Sequence, residues 1–233
     1  MLRNRAIGDT VEKLRTEQAC VMLQLQSEMN AIVNPTWLKA GYPFLRAVIV
    51  EAAEAMDHLG WKWWKHQAQQ LEQVQIELID ILHFYLSSAL VTFGGGQDQA
   101  VASLVSSSFA SDLIEFDGVE YLLPDNGLLE LLDLLAGLAG AKRLELVVLE
   151  HCFVHCGLTW DEVFKIYVSK NILNIFRQKN GYKDGSYQKI WDGEEDNMYL
   201  ARLMNRLDPT LASYPTDLYN SLIEKYKTLK VGQ

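Results

Sequence analysis

The stretch Leu71-Glu72-Gln73-Val74-Gln75-Ile76-Glu77-Leu78-Ile79-Asp80-Ile81-Leu82-His83-Phe84-Tyr85-Leu86 decides the fold class. Leu71, Val74, Leu78, Ile81, Leu82 and Tyr85 recur at intervals of three and four residues. That spacing gathers apolar side chains on one face of an α-helix. The pattern predicts a helix over roughly 70–93, broken by Gly94-Gly95-Gly96, where backbone freedom ends regular structure. Working back, a helix is expected over roughly 43–59, stopping near Gly60, and another over roughly 7–33, ending before Asn34-Pro35 because the residue before proline leaves the helical region. Working forward, Thr159-Trp160-Asp161-Glu162 is a capping box, in which each side chain satisfies the other residue's amide. Its helix should run to about Lys179 and end at Asn180-Gly181. A glycine- and charge-bearing loop over 181–197 and two amphipathic pieces near 195–206 and 215–229 close the chain.

The segment 97–157 is less regular. It holds Ser-rich and Leu-rich pieces, and Asp125-Asn126-Gly127 reads as a turn between helices or beside a short strand around 117–123. No long repeat or low-complexity linker divides the chain. The expectation is one all-α unit over 1–233, with core helices in roughly 7–93 and 159–206 and a variable segment over roughly 97–157.

Composition bounds the function. Of 233 residues, 49% are hydrophobic, and 21 Lys and Arg stand against 30 Asp and Glu for a net charge of −9. This is globular composition. The acidic balance argues against binding a nucleic-acid polymer, which needs a basic footprint. Met1-Leu2-Arg3-Asn4-Arg5 leads into no apolar signal region. No uninterrupted apolar run reaches the ~18 residues of a membrane span, and the longest candidate, Leu128 to Ala141, contains Glu130 and Asp133. Cys20, Cys152 and Cys156 are too few for a disulfide framework. A soluble, cytoplasmic chain with no membrane partner is expected.

Two carboxylate pairs carry the chemistry. Glu51-Ala-Ala-Glu54 and Glu77-Leu-Ile-Asp80 each place two acids ~300° apart, on one helix face. Two such pairs on facing helices repel unless cations lie between them. Hard oxygen ligands of this kind suit Mg²⁺, whose shell is completed by water and substrate phosphates. Solvated helix faces carry the same spacings, so the two pairs together, rather than either alone, point to a metal. Asp57 continues the first stripe or helps end its helix. Trp61-Lys62-Trp63-Trp64-Lys65 reads either as a cluster capping the core or as an aromatic wall for a planar base. Lys170, Asn174 and Arg177 share a helix face, with Lys183 and Lys189 following. That basic face suits a polyphosphate or an ordinary salt-bridged surface. His151-Cys152-Phe153-Val154-His155-Cys156 can be read as a zinc site or as core cysteines with a partly buried histidine pair. The second reading is favoured, because adjacent helical positions diverge by ~100°.

The run Tyr167-Val168-Ser169-Lys170-Asn171-Ile172-Leu173-Asn174-Ile175-Phe176-Arg177, continuing through Lys183, Lys189 and Trp191 to Asp196-Asn197, resembles the C-terminal signature of the dimeric all-α dUTPases, the kinetoplastid, bacterial and phage type within the all-α NTP pyrophosphatases. Glu51 to Lys65 resembles that family's central signature, Glu77 to Phe84 its second metal motif, and Leu25-Gln26 to Asn30 its N-terminal motif. The motifs stand in family order over roughly 24–197, while 97–157 aligns with none.

The resemblance implies a multi-helix bundle that hydrolyses dUTP, with dUDP as a further candidate, to dUMP and pyrophosphate. It implies a homodimer that depends on Mg²⁺, with more than one ion. It implies that Glu51, Glu54, Glu77 and Asp80 bind metal and that Glu54 takes the proton of the attacking water. Lys170, Arg177, Lys183 and Lys189 would hold phosphates. Gln26, Asn30, Trp61 and Asn174 would face the nucleoside, with Trp64 an alternative to Trp61 and Phe84 beneath the deoxyribose. The resemblance places attack at the β-phosphorus, which the residues alone do not distinguish from α-attack. Other all-α nucleotide pyrophosphatases, MazG-like or dCTP-selective, and a low-turnover nucleotide-binding regulator are the alternatives.

Overall fold

A computed structural model describes residues 12–209, 211 and 213–231. Among them are nine helices: α1 (Thr16–Val33), α2 (Phe44–Leu59), α3 (Leu71–Thr92), α4 (Gln97–Ser107), α5 (Leu128–Gly140), α6 (Leu146–His155), α7 (Trp160–Lys179), α8 (Asp196–Met204) and α9 (Tyr214–Val231). Two small antiparallel hairpins interrupt them, β1 (Leu113–Phe116) with β2 (Val119–Leu122), and β3 (Ile190–Trp191) with β4 (Glu194–Glu195). The fold is all-α.

The central helix is α3. Val74, Leu78, Ile81, Leu82 and Leu86 are all buried, and α1, α2, α6 and α7 pack around them. By length and composition α3 could cross a membrane, yet 67% of its most apolar window is buried inside the fold. Glu72, Glu77 and Asp80 interrupt its apolar run. Of these acids, Glu77 is buried and Asp80 half-buried, so the core helix carries charge within the fold.

Helix ends follow local chemistry. Gly60 caps α2 in the left-handed region at φ 73°, which a residue with a Cβ adopts at a cost. At α7 the Thr159 hydroxyl accepts from the Glu162 amide at 3.3 Å, and the Glu162 carboxylate accepts from the Thr159 amide at 2.7 Å. Loss of such a cap costs about 1 kcal/mol.

The N-terminal helix expected over 7–33 begins only at Thr16, and its expected start, 7–11, lies outside the described residues. Residues 12–15 are not helical. Leu14 is buried, and its amide donates to Ser108 Oγ at 2.9 Å. This contact across 94 residues outweighs helix propensity there.

The segment 97–157 turns out to be ordered. The strand suggested around 117–123 is β2, and β1 precedes it across Asp117-Gly118, with φ 53° and 75°. A second Asp-Gly, Asp192-Gly193, joins β3 to β4 with φ 52° and 87°. Positive φ at both central residues is the requirement of a type I′ hairpin. After the first hairpin, α5 packs on α2, and α6 packs on α5 and α3.

The basic segment after α7 is pinned by an aromatic cluster. Phe176 meets Tyr187, Trp191, Tyr219 and Tyr226 edge-on, with ring centroids 5.4–6.1 Å apart. Trp191 is 2% exposed. Rings of this size in edge-to-face contact add stability beyond their buried area, so the loop over 181–195 is fixed to α7 and α9.

Candidate functional site

The α2 and α3 helices pack along each other, which brings the two carboxylate pairs face to face. One oxygen each of Glu51, Glu77 and Asp80 lies within 4.8 Å of the other two. Among the described residues this is the group of acids and imidazoles that could hold a metal ion. Glu54 stands exposed at the rim, outside that triad. Its charge still reaches the cluster. Burial, then Asp80, Glu54 and Glu77, push the Glu51 carboxyl up to about 7. Burial and Asp80 raise Glu77 as well. Like charges in a half-buried site favour protonation or a cation. The donors are all hard oxygens, so the residues fit a small divalent cation such as Mg²⁺.

Two basic side chains face the cluster. The Lys170 ammonium, from α7, is ion-paired with Asp80. His58 Nε2 is 3.5 Å from Glu77 Oε1. His58, one turn beyond Glu54, was not singled out from the sequence.

A cavity of about 250 Å³ opens beside the acids. Asp80 belongs both to its wall and to the carboxylate cluster. Gln26 and Asn30 from α1, Phe84 from α3 and Asn174 from α7 line it, four of the residues that the resemblance assigned to the nucleoside. Further aromatic lining comes from Trp37 and Tyr42, between α1 and α2, and from Phe44, the first residue of α2. Sequence reading missed these three. The concentration of tryptophans at 61–64 drew attention instead, while Trp37, Tyr42 and Phe44 are scattered singly around Pro43.

Trp61 and Trp64 are not brought to the cavity. They are 44% and 57% exposed, and they form edge-on contacts at 5.3 Å with each other and 5.4 Å between Trp63 and Trp64. The Trp61 indole donates to Asp57 at 3.3 Å, and Lys62 pairs with the same carboxylate. Asp57 therefore belongs to this loop at the end of α2.

The basic face is present, with its charges already partnered. Arg177 is gripped by Asp196 through Nε to Oδ2 at 2.8 Å and Nη2 to Oδ1 at 2.7 Å. Its other nitrogen donates to Asn174 Oδ1 at 3.2 Å. Tyr187 adds a bond to Asp196 at 2.7 Å, and Asp196 is fully buried. Lys189 pairs with Glu195 at 3.0 Å, and the Lys183 ammonium donates to the Val33 carbonyl at 3.1 Å. Asp196 lay inside the C-terminal signature, but its role in holding Arg177 emerges only from the fold.

The zinc alternative does not survive. Cys152 and Cys156 sit in the hydrophobic core, and burial pushes the Cys156 thiol up to about 12 and Cys152 further. Zinc needs thiolates. His151 is buried against Phe109 with Nε2 3.4 Å from Asp112, whereas His155 is exposed, so the histidines do not form a pair.

A family model described as dUTPase matches residues 19–182. No curated protein matches the chain. The matched span contains the acids of α2 and α3, the cavity-lining residues and the basic face as far as Tyr182.

Proposed function

The chain belongs to the dUTPase family, and from that premise we propose that it hydrolyses dUTP to dUMP and pyrophosphate in a Mg²⁺-dependent reaction. The hydrolysis of dUTP in general terms follows from the family. The metal, the products and the residue roles are our reading. The observation that carries it is the shared position of Asp80, in the carboxylate cluster and in the wall of the amide-lined cavity. That juxtaposition supports a metal held at the edge of a nucleotide pocket.

Glu51, Glu77 and Asp80, with Glu54, would hold the metal. Mg²⁺ bound there would neutralise phosphate oxygens and lower the pKa of water. Glu54, exposed at the rim and least engaged, takes the proton from the attacking water. Arg177, Lys183 and Lys189, with Lys170, bind phosphate oxygens and stabilise charge on the leaving group. Arg177 arrives preorganised, since Asp196 fixes its plane before any phosphate is present. Phe84 fills the space under the sugar, where a 2′-hydroxyl would otherwise fit. Asn30 and Asn174 face the base and sugar. Trp61 or Trp64 reaches the nucleoside by a shift of the loop at 60–70, supported by their exposure beside the end of α2. We further propose that the chain acts as one catalytic unit and as a homodimer, intracellular and without a membrane or nucleic-acid partner.

The test is product release from a panel of dNTPs with Mg²⁺, with chelator controls. dUTP should exceed dCTP and dTTP by orders of magnitude in kcat/KM, and chelation should abolish turnover. Equal rates on dUTP, dCTP and dTTP would remove the reading and favour a broader nucleotide pyrophosphatase. Glu54→Gln should still bind dUTP by calorimetry while losing about 10²–10⁴-fold in kcat.

A further inference from the structure

We propose that Tyr226 of α9 is a positioning residue for the phosphate-binding loop. It holds the Gln188 backbone and the Tyr187 ring, and through them it sets the places of Lys189 and Arg177. The proposal rests on the reading of the basic face as a polyphosphate site.

Tyr226 lies beyond every motif of the sequence analysis, the last of which ends at Asn197. It is buried, with Leu218 and Leu222 buried two turns and one turn before it on the same face of α9. It neither lines the cavity nor belongs to the carboxylate cluster. Any effect on a ligand therefore passes through other residues.

The hydroxyl gives the first route. The Tyr226 oxygen accepts from the Gln188 amide at 2.9 Å. The Gln188 carbonyl accepts from the Trp191 indole at 2.8 Å. Both backbone polar groups of Gln188 are thus engaged. The next residue is Lys189, whose carbonyl accepts from the Asp196 amide at 3.0 Å. The Lys189 backbone is held on both sides, so its ammonium leaves a fixed point.

The ring gives the second route. Tyr226 stacks on Tyr187, with centroids 5.3 Å apart and planes 19° apart. The Tyr187 hydroxyl donates to Asp196 Oδ2 at 2.7 Å, and the same oxygen accepts from Arg177 Nε at 2.8 Å. Burial, then the bond to Asp196, raise the Tyr187 pKa, so this hydroxyl stays a donor at neutral pH. A tilt of the Tyr187 ring would move the carboxylate that sets the plane of Arg177. Tyr226 is itself wedged between Phe176 at 5.4 Å and Trp191 at 5.5 Å. Lys225 pairs with Asp192 and ties α9 to the far end of the same loop. Two cations of the phosphate face thus depend on one side chain of the last helix. A loop held in place for only part of the time binds more weakly in that proportion.

The test uses two probes, inorganic tripolyphosphate with Mg²⁺ and deoxyuridine, each titrated by calorimetry. Tyr226→Phe keeps the ring and removes the acceptor for Gln188. It should bind tripolyphosphate about 3–10-fold more weakly and deoxyuridine as wild type does. Tyr219→Phe is the control, since Tyr219 also lies on α9 and also meets Phe176 edge-on, at 5.9 Å. It should bind both probes like wild type. Unchanged tripolyphosphate binding in Tyr226→Phe overturns the proposal. So does an equal loss in Tyr219→Phe or an equal loss for deoxyuridine, because a general loosening of α9 would produce either. In wild type, hydrogen exchange at the Gln188 amide should be slow. Fast exchange there overturns the proposal even where Tyr226→Phe fails to fold. A wild type that does not bind tripolyphosphate sinks the polyphosphate reading itself, while the Gln188 amide reports separately on the loop.

Discussion

The Lys170 ammonium rests on the Asp80 carboxylate, ninety residues away in sequence. One residue belongs to the basic face and the other to the acidic cluster, so the two halves of the proposed site neutralise each other when no ligand is present. Lys170 also lowers the proton affinity of Glu77. A divalent cation and Lys170 compete for the same charge. Lys170→Met should therefore bind Mn²⁺ in the absence of nucleotide on the order of 10-fold more tightly, as read by calorimetry or electron paramagnetic resonance. The same variant should bind dUTP more weakly. Unchanged Mn²⁺ affinity would show that the ion pair does not oppose metal binding.

The acidic cluster makes stability depend on pH in a predictable direction. Glu51 has its pKa raised to about 7 in the folded chain, against an ordinary 4.5. A raised carboxyl means that the folded state holds a proton the unfolded state releases. The folded state is therefore favoured less as pH rises from about 4.5 through 7. Glu51 is half-exposed, and after allowance for solvent screening the effect is about 1 kcal/mol. For a chain of this size that is roughly 2–4 °C in Tm. Metal-free protein should melt lower at pH 8 than at pH 6, and Glu51→Gln should flatten the difference. Millimolar Mg²⁺ should raise Tm at pH 8 in wild type and not in Glu51→Gln. Identical melting at the two pH values would remove the repulsion argument.

Arg177 and Asp196 form a buried, two-bonded pair. Removing one partner leaves an uncompensated charge, which costs about 3–5 kcal/mol. Asp196→Ala should lower Tm markedly and reduce kcat/KM for dUTP. Arg177→Lys keeps the charge but loses the planar fork. It should cost less stability than Asp196→Ala while still weakening substrate binding. Denaturant unfolding together with kinetics separates the two effects. Equal stability of wild type and Asp196→Ala would show the pair to be energetically idle.

The tryptophan loop gives a prediction with little structural risk. Trp61 and Trp64 are exposed, and exposed substitutions usually cost under about 0.5 kcal/mol. Trp61→Ala should melt like wild type yet raise KM for dUTP several-fold. Intrinsic fluorescence should change on adding dUTP and Mg²⁺, and less so in the variant. If neither Trp61→Ala nor Trp64→Ala alters KM, both residues leave the site.

Legibility in the sequence tracked physical range. The helices α2, α3 and α7 were read to within a residue or two, because periodicity, Gly60 and the Thr159 box are local signals. The hairpins and helices of 97–157 were not resolved, although Asp117-Gly118 was a usable turn signal. There α5 and α6 are apolar on most faces, since both are largely buried, and a helix apolar all round shows no stripe. The carboxylate pairs were found from spacing, but spacing could not say that Glu54 stands outside the tight triad.

The sequence by itself determined the all-α class, the acids at 51, 54, 77 and 80, and the basic signature from Lys170 to Lys189, because each is written in neighbours within a helical turn or a short loop. The tertiary structure alone decided the rest. It put Trp37, Tyr42 and Phe44 on the cavity wall instead of Trp61 and Trp64. It also gave Arg177 to Asp196, Lys170 to Asp80, and Gln26 to Ser87, His83 and Tyr167. Those partners lie 19 to 141 residues apart. Hydrogen bonds and ion pairs are chosen by distance in space, and no local pattern records which distant polar group will close each one.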